Sequence, residues 1–316
     1  MKLRNLFLAL ALLPGCALAQ PPARMISAFP PGGAVDILAR VFADELSKSG
    51  GRPMIVENIT GAGGVLAMQT LKASPPDGST LAAIVDSSLV VYPHTTAKPL
   101  YNALADFTPI AHAGGTVMAL AIGSHVPATD LAAFVAWAKA NPDKSSFGSS
   151  GAGATVQFYG GLIAQTVGIP LVHVPYKGVG PALADMVGGQ IAASIAPLGP
   201  LQPHLKSGKA RALAHSGAGR IPSAPDVPTF KELGYPALEL PVWFAVVGPA
   251  GMKPEVAARL NEALVQAMRT PAVRERMARL DLEVRELNTT EFAALVKSDY
   301  ERWGRIVKAS GWKPAE

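Results

Sequence analysis

The chain reads as an α/β protein of two lobes, each built on a mainly parallel sheet, with strands crossing between them. Three observations predict this. Short apolar runs alternate with amphipathic helical stretches through most of the length. A strand, small-residue loop, helix unit recurs in two separate runs of the chain. Finally, 316 residues with 49% hydrophobic and 16% charged side chains are enough to fill two packed cores.

The elements follow in order. A strand over 24–29 leads through Pro30-Pro31-Gly32-Gly33 to a helix over 34–48, and a strand over 53–57 leads through "GAGG" to a helix over 64–73. The strand 80–85 ends at Asp86-Ser87-Ser88 before a short helical stretch. "FTPIAHAGGTVMALAIG" reads as a strand pair crossing between lobes. Thr129 is the expected cap of a helix bearing Leu131, Phe134 and Val135 that stops at Asn141-Pro142. A second run then begins with a strand ending at Ser146-Phe147-Gly148, the loop "SSGAGAT" and a helix over 156–167. "LVHVPY", "PALADMVGGQIAASIAP" and "ARALAHSG" supply further strands and a helix. Thr229 and Glu232 have capping-box spacing on a short helix closed by Gly234. "PVWFAVVGPAG" returns the chain to the first lobe. Helices over 254–269 and 271–280 follow, then a last one opened by Asn288 with Glu291, whose apolar face carries Phe292, Leu295, Val296, Trp303 and Val307. The expected organisation is residues 1–19 as a signal peptide, 20–121 plus 245–316 as lobe 1, and 122–244 as lobe 2. The cleft between lobes is the default site.

The N-terminus carries Lys2 and Arg4, an apolar run from Leu6 to Leu13, and Ala17-Leu18-Ala19 before Gln20, the order of a secretory signal. Pro14-Gly15 interrupts the run far short of the roughly 18 residues a membrane anchor needs. Export to the periplasm with a mature start at Gln20 is expected. Leu13-Pro14-Gly15-Cys16 also has lipoprotein order, with an unusual proline, so a lipid anchor at Cys16 is the alternative. Cys16 is the single cysteine, and the mature body has no thiol for a disulfide, metal site or nucleophile. Loss of residues 1–19 removes two basic and no acidic residues and takes the formal charge from +5 to +3. Without a Lys/Arg block and interleaved aromatics, nucleic acid is not expected as a partner. Six scattered histidines without i, i+4 or H-x-H spacing argue against a metal, and no cofactor is expected.

The chemistry sits in the loops. In "AFPPGGAVD" the prolines stiffen the strand exit, while Gly32-Gly33 leave backbone N–H groups uncovered at the start of a helix. Unpaired amides and the positive end of the helix dipole make such a join a socket for an anion. "GSSGAGAT" repeats the arrangement in the other lobe and adds the hydroxyls of Ser149, Ser150 and Thr155. Taken singly, either loop could be a plain connection. As a pair facing across a cleft, they suit an elongated ligand with a carboxylate at one or both ends. Asp36 has two readings: a helix-start cap that holds the glycine loop in shape, or a group that orders water beside the ligand. "ENITGAGG" is either a third amide-rich turn or a packing turn. Asp86-Ser87-Ser88 stand at a strand end and can line the cleft or simply close the strand, while Lys177 in "HVPYKG" can draw in an anion or be an exposed turn lysine. Enzyme signatures fail: Ala152 replaces the glycine that a nucleophile elbow around Ser150 needs, Pro203 replaces the first glycine of a P-loop, and "GAGATV" lacks the third glycine of a dinucleotide fingerprint.

The motifs "FPPGGAVDILAR", "VENITGAGG", "PPDGSTL", "DFTPIA", "HVPYKGVGPALADMVGGQ", "PDVPTFKELGYP" and "VVGPAG", in this order, resemble the tripartite tricarboxylate transporter substrate-binding receptors, or Bug receptors, over nearly the whole mature chain. The resemblance implies a periplasmic-binding-protein (Venus flytrap) fold that takes a small organic acid and delivers it to a membrane permease. It also implies ligand contact by Phe29, Pro31, Gly32, Gly33 and Asp36 from the first loop and by Ser149, Ser150, Gly151, Gly153, Ala154 and Thr155 from the second. The chain departs from the family pattern in three places. Gln157-Phe158 stand where a His-Leu pair is usual, Ala192 where an acid usually follows "GGQ", and "GPAGMKP" where Pro-Ala-Gly-Thr-Pro is usual. The expectation is a monomeric, non-enzymatic receptor for a mono- or dicarboxylate. Delivery to a sensor protein, or hydrolysis by Ser150 with a distant histidine, are the alternatives.

Overall fold

The computed structural model describes residues 22–50, 52–149, 151 and 154–313. The expected signal peptide, Cys16, Ser150 and Gly153 lie outside the described residues. The chain opens with β1 (Ala23–Ser27), α1 (Ala34–Gly50), β2 (Met54–Asn58), a 3₁₀ turn at Ala62–Gly64, α2 (Val65–Lys72) and β3 (Thr80–Val85). A π turn at Ser87–Val91 runs into α3 (Tyr92–Thr95), and β4 (Phe107–Thr116) passes with only Val117 between into β5 (Met118–Gly123). Next come α4 (Leu131–Ala140), β6 (Ser146–Ser149), α5 (Thr155–Val167), β7 (Val172–Pro175), α6 (Val179–Val187), β8 (Ala193–Pro197), α7 (Leu198–Lys206) and β9 (Ala210–His215). The return strand is β10 (Val242–Pro249), followed by α8 (Pro254–Arg269), α9 (Pro271–Arg279) and α10 (Thr289–Ala309).

Two five-stranded sheets result, ordered β2-β1-β3-β10-β4 and β7-β6-β8-β5-β9. In the first, β1 is parallel to β2 and β3, and β10 runs antiparallel to both β3 and β4. In the second, β6 is parallel to β7 and β8, and β5 runs antiparallel to both β8 and β9. Four strands of each sheet therefore share a direction, and the reversed one is the strand on which the chain enters from the other sheet. This is the α/β architecture the sequence predicts, with sheets of mixed pairing.

Both faces of the first sheet are covered, so β3 is a continuous apolar run with no polar face. Met25, Leu81 and Ala83 turn to one side with Leu38 and Phe42 of α1 and Leu264 of α8. Their neighbours Ile26, Ala82 and Ile84 turn to the other, with Met68 of α2 and Phe292 and Trp303 of α10. The period-2 alternation of a strand divides the two cores. α10 is opened by the predicted capping box: Glu291 N–H donates to Asn288 Oδ1 and Asn288 N–H to Glu291 Oε2, each at 2.9 Å.

Two local expectations are corrected. The cap of α4 is Asp130, not Thr129. Asp130 takes the extended conformation (φ −151°, ψ 178°) and accepts from Ala133 N–H at 2.8 Å. Thr229 and Glu232 do exchange their two hydrogen bonds, at 3.3 and 3.0 Å, but they close turns and not a helix. Gly234 at φ +88° and Pro236 leave no room for a second helical turn.

Candidate functional site: the cleft between the sheets

A cleft of 720 Å³ is walled by both sheets. Phe29, Ala62, Asp86 and Ser87 face it from the first, and Gly151, Ala154 and Thr155 from the second. The junction strands contribute Thr116, Met118 and Phe244, and the chain end contributes Trp312. Among the described lining residues there is no lysine, arginine or histidine. A negative ligand would therefore meet amides, hydroxyls and the N-terminus of the 13-residue α5.

The first loop is held from behind. Gly32 sits at φ +85°, where a glycine is needed, and its N–H donates to Asp36 Oδ2 at 3.0 Å. Arg40 donates from Nε to Oδ2 and from Nη2 to Oδ1, both at 3.0 Å, and Asn58 Nδ2 donates to Oδ1 at 2.7 Å. Asn58 Nδ2 also reaches the Phe29 carbonyl at 3.0 Å. Burial pushes the Asp36 carboxyl up, but the hydrogen bonds from Arg40, Gly32 and Asn58 outweigh it and hold the group below the usual carboxylate value. With both oxygens occupied, Asp36 is a brace that ties the end of β2 to the loop and to α1. Of the residues expected from this loop, Phe29 lines the cleft. Pro31, Gly32 and Gly33 are exposed at the head of α1, and neither they nor Asp36 are part of the cleft wall.

The second loop has a brace of its own. The buried Ser149 hydroxyl bonds His173 Nε2 at 2.6 Å, and it accepts from Gly151 N–H and approaches the Gly151 carbonyl at 3.3 and 3.1 Å. Ser149 therefore shapes the loop without lining the cleft. Gly151, Ala154 and Thr155 do line it. Thr155 Oγ1 is buried and has no hydrogen-bond partner among the described residues.

The "GAGG" turn serves both readings. Ala62 at φ +48° and Gly63 line the cleft, while a Cβ on Gly64 would lie 2.5 Å from Ser88 Oγ. Ser88 in turn donates to the Gly63 carbonyl at 2.8 Å, and the Tyr101 hydroxyl donates to the Ser88 carbonyl. Lys177 is exposed and away from the cleft, and no His/Cys/Asp/Glu group among the described residues could hold a metal ion.

Trp312 was not singled out by any motif, and Asp86 was expected only as part of the Asp86-Ser87-Ser88 strand end. Trp312 donates from Nε1 to the Thr95 carbonyl at 3.0 Å and meets Phe158 of α5 edge-on at 5.5 Å, so one indole touches elements of both sheets. Asp86 is 1% exposed. Its Oδ1 accepts from Ser87 N–H at 2.6 Å, and its Oδ2 has no partner. Burial first, then the charge of Asp299, holds the Asp86 carboxyl well above the ordinary carboxylate value, and the backbone N–H groups of Ser87 and Trp243 offset only part of this.

Comparison with known proteins matches residues 38–312 to the tripartite tricarboxylate transporter family receptor model. The chain belongs to this family. Protein BugT of Bordetella pertussis is 33% identical over 293 residues, covering 92% of this chain and 90% of the relative. Among solved structures, MatC from Rhodopseudomonas palustris with bound malate superposes with a TM-score of 0.75 at 29% identity, covering 90% of this chain and 98% of that one. R. palustris Rpa4515 with adipate gives 0.80 at 26%, covering 93% and 98%. As a tripartite tricarboxylate transporter receptor, the chain is a binding protein and not an enzyme. The Ser149–His173 pair accordingly has a structural role in this receptor. No helix among the described residues is long and apolar enough to cross a membrane. Of the residues that depart from the family pattern, Phe158 is buried against Trp312, Ala192 is buried beside Ser146, and Met252 packs under Gly248.

Proposed function

We propose that this receptor captures a small mono- or dicarboxylate in the cleft between its two sheets and delivers it to a membrane permease of the tripartite tricarboxylate type. The observation that carries the reading is the cleft wall: hydroxyls, amides and a helix N-terminus from both sheets, with no basic side chain among the described lining residues. Its volume falls in the range of about 300–1,000 Å³ typical of small-molecule sites. Malate bound to MatC and adipate bound to Rpa4515 support the same ligand class.

In this reading residues 20–121 with 245–316 form one lobe and 122–244 the other, and the protein works as a monomer in the periplasm after loss of residues 1–19. The ligand favours the closed arrangement because only there do Phe29 and Ser87 on one side and Gly151, Ala154 and Thr155 on the other contact it together. A ligand shifts such an equilibrium only by its difference in affinity for the two states. Ser150 and Gly153 are further contacts of the second loop in this reading, and Pro31, Gly32 and Gly33, exposed at the head of α1, meet the ligand on closure. Thermal-shift and calorimetric screening of mono- and dicarboxylates tests the reading. A ligand at 100 times its dissociation constant stabilises the protein by about 2.7 kcal/mol. A flat response across the panel overturns the proposal, and intact-mass measurement of the periplasmic product decides between a start at Gln20 and lipidation at Cys16.

A further inference from the structure

The cleft presents one carboxyl of its own. Asp86, at the end of β3, is buried from water, lines the cleft and leaves Oδ2 without a hydrogen-bond partner. A buried carboxylate with only backbone amides and no cation beside it would be costly, and a second carboxylate pressed against it as ligand would be repelled. A buried carboxylic acid has no such conflict: its free O–H is a donor, and the expected ligand is an acceptor. On the opposite wall Thr155 Oγ1 is likewise buried and without a partner. Two residues of the cavity wall, one from each sheet, thus each keep a buried polar atom without a partner among the described residues.

Building on the carboxylate reading above, we infer that Asp86 is a specificity residue of the cleft, holding its proton and donating Oδ2–H to a carboxylate oxygen of the ligand. The surroundings agree from each side. From α10 the facing group is Asp299, half-buried and hydrogen-bonded by Trp243 Nε1 at 2.7 Å. Burial also raises the Asp299 carboxyl, and Trp243, Arg302 and Arg285 offset this only in part. From β4 comes His112, which stands near Trp243 and which burial pushes down to about 4, so that it is uncharged at neutral pH. A neutral acid in such a wall selects for a hydrogen-bond acceptor and disfavours an ammonium group, which would call for the ionised form.

The test uses the mature protein and its Asp86→Asn and Asp86→Ala variants. Isothermal titration with succinate, malate, adipate and L-aspartate is run from pH 5.5 to 9. Asparagine keeps a donor at this position and cannot ionise, so Asp86→Asn should bind the best diacid within about 3-fold of wild type and lose the pH dependence. Wild-type affinity should fall as pH rises through the Asp86 titration. Asp86→Ala should weaken binding roughly 10- to 100-fold, the worth of a hydrogen bond to a charged group. If Asp86→Asn loses as much as Asp86→Ala while wild type prefers L-aspartate, Asp86 is an ionised anchor for an ammonium group and the proposal is overturned. Unchanged diacid binding in both variants also overturns it. Carboxyl-¹³C NMR of aspartate-labelled, ligand-free protein, with Asp86→Asn for assignment, reads the proton directly: an Asp86 ionised at pH 7 refutes the inference whatever binds. If no panel member binds wild type while Asp86 is protonated, the carboxylate reading fails and the protonation state stands.

Discussion

Asp36→Ala separates a brace from a ligand contact. The side chain is 4% exposed and holds three partners: the Gly32 amide, the Asn58 amide and the Arg40 guanidinium. The Arg40 side chain is 53% exposed, so solvent screening leaves its pairing contributing little. The Gly32 and Asn58 donors bond a buried, charged acceptor, worth about 1.5 kcal/mol each. The loss is therefore about 3–4 kcal/mol, which lowers the melting midpoint by roughly 7–10 °C in a protein of this size. Because hydrogen bonds hold the folded-state carboxyl below its usual value, its stabilisation is present above the unfolded-chain value and is lost as pH falls through the folded one. The gap between wild type and Asp36→Ala should accordingly stay constant from pH 8 to 5 and close only in acid. Calorimetric melting across that range, beside ligand titration at pH 7, is the assay. Arg40→Met is the control and should leave the melting midpoint nearly unchanged. An unchanged melting midpoint with binding abolished would show that Asp36 grips the ligand, and the brace would be refuted.

Three further outcomes follow. Gly64→Ala drives a Cβ to 2.5 Å from Ser88 Oγ at a backbone φ of +94° and should destabilise by about 1–3 kcal/mol, read by urea unfolding. Thr155→Val keeps the shape and deletes a hydroxyl that has no internal partner, so ligand affinity should drop about 5-fold, the worth of one hydrogen bond, while the melting midpoint holds or rises. Asp86→Asn should raise thermal stability at pH 8 and leave it unchanged near pH 3. A carboxyl held above its ordinary value in the folded state loses stability as pH rises from the unfolded-chain value towards the folded one; a pH-independent difference would contradict the buried acid.

The order of strands and helices was legible because each obeys a local rule. The Asn288–Glu291 box and the buried face of Phe292, Val296, Trp303 and Val307 follow from spacing alone. The cap of α4 was misread by one residue because Thr129 and Asp130 are both good cap types, and only the backbone angles choose between them. The glycine loops were found, but not the fate of their amides. Whether Gly32 N–H points to a ligand or to Asp36 is decided by where β2 places Asn58, a contact 22 residues away. Trp312 was invisible for the same reason: it reaches the cleft from the far end of the chain and rests on Thr95, 217 residues earlier. Asp86 read as one polar residue at a strand end. Its isolation depends on α10 covering it from outside the local sequence.

Both loops solve one physical problem in different ways. An uncharged grip on an anion needs amides and hydroxyls held in place before the ligand arrives, because reorganising them would reduce the affinity they provide. Asp36, with Arg40 and Asn58, fixes the first loop, and Ser149, with His173, fixes the second. In each case the bracing side chain, Asp36 or Ser149, is no part of the cleft wall. The groups left without partners, Asp86 Oδ2 and Thr155 Oγ1, are then the ones placed to discriminate. A lysine in this wall would attract any anion. Neutral donors on fixed backbones reward only an acceptor at the right distance, which suits a receptor that must choose among small acids of equal charge.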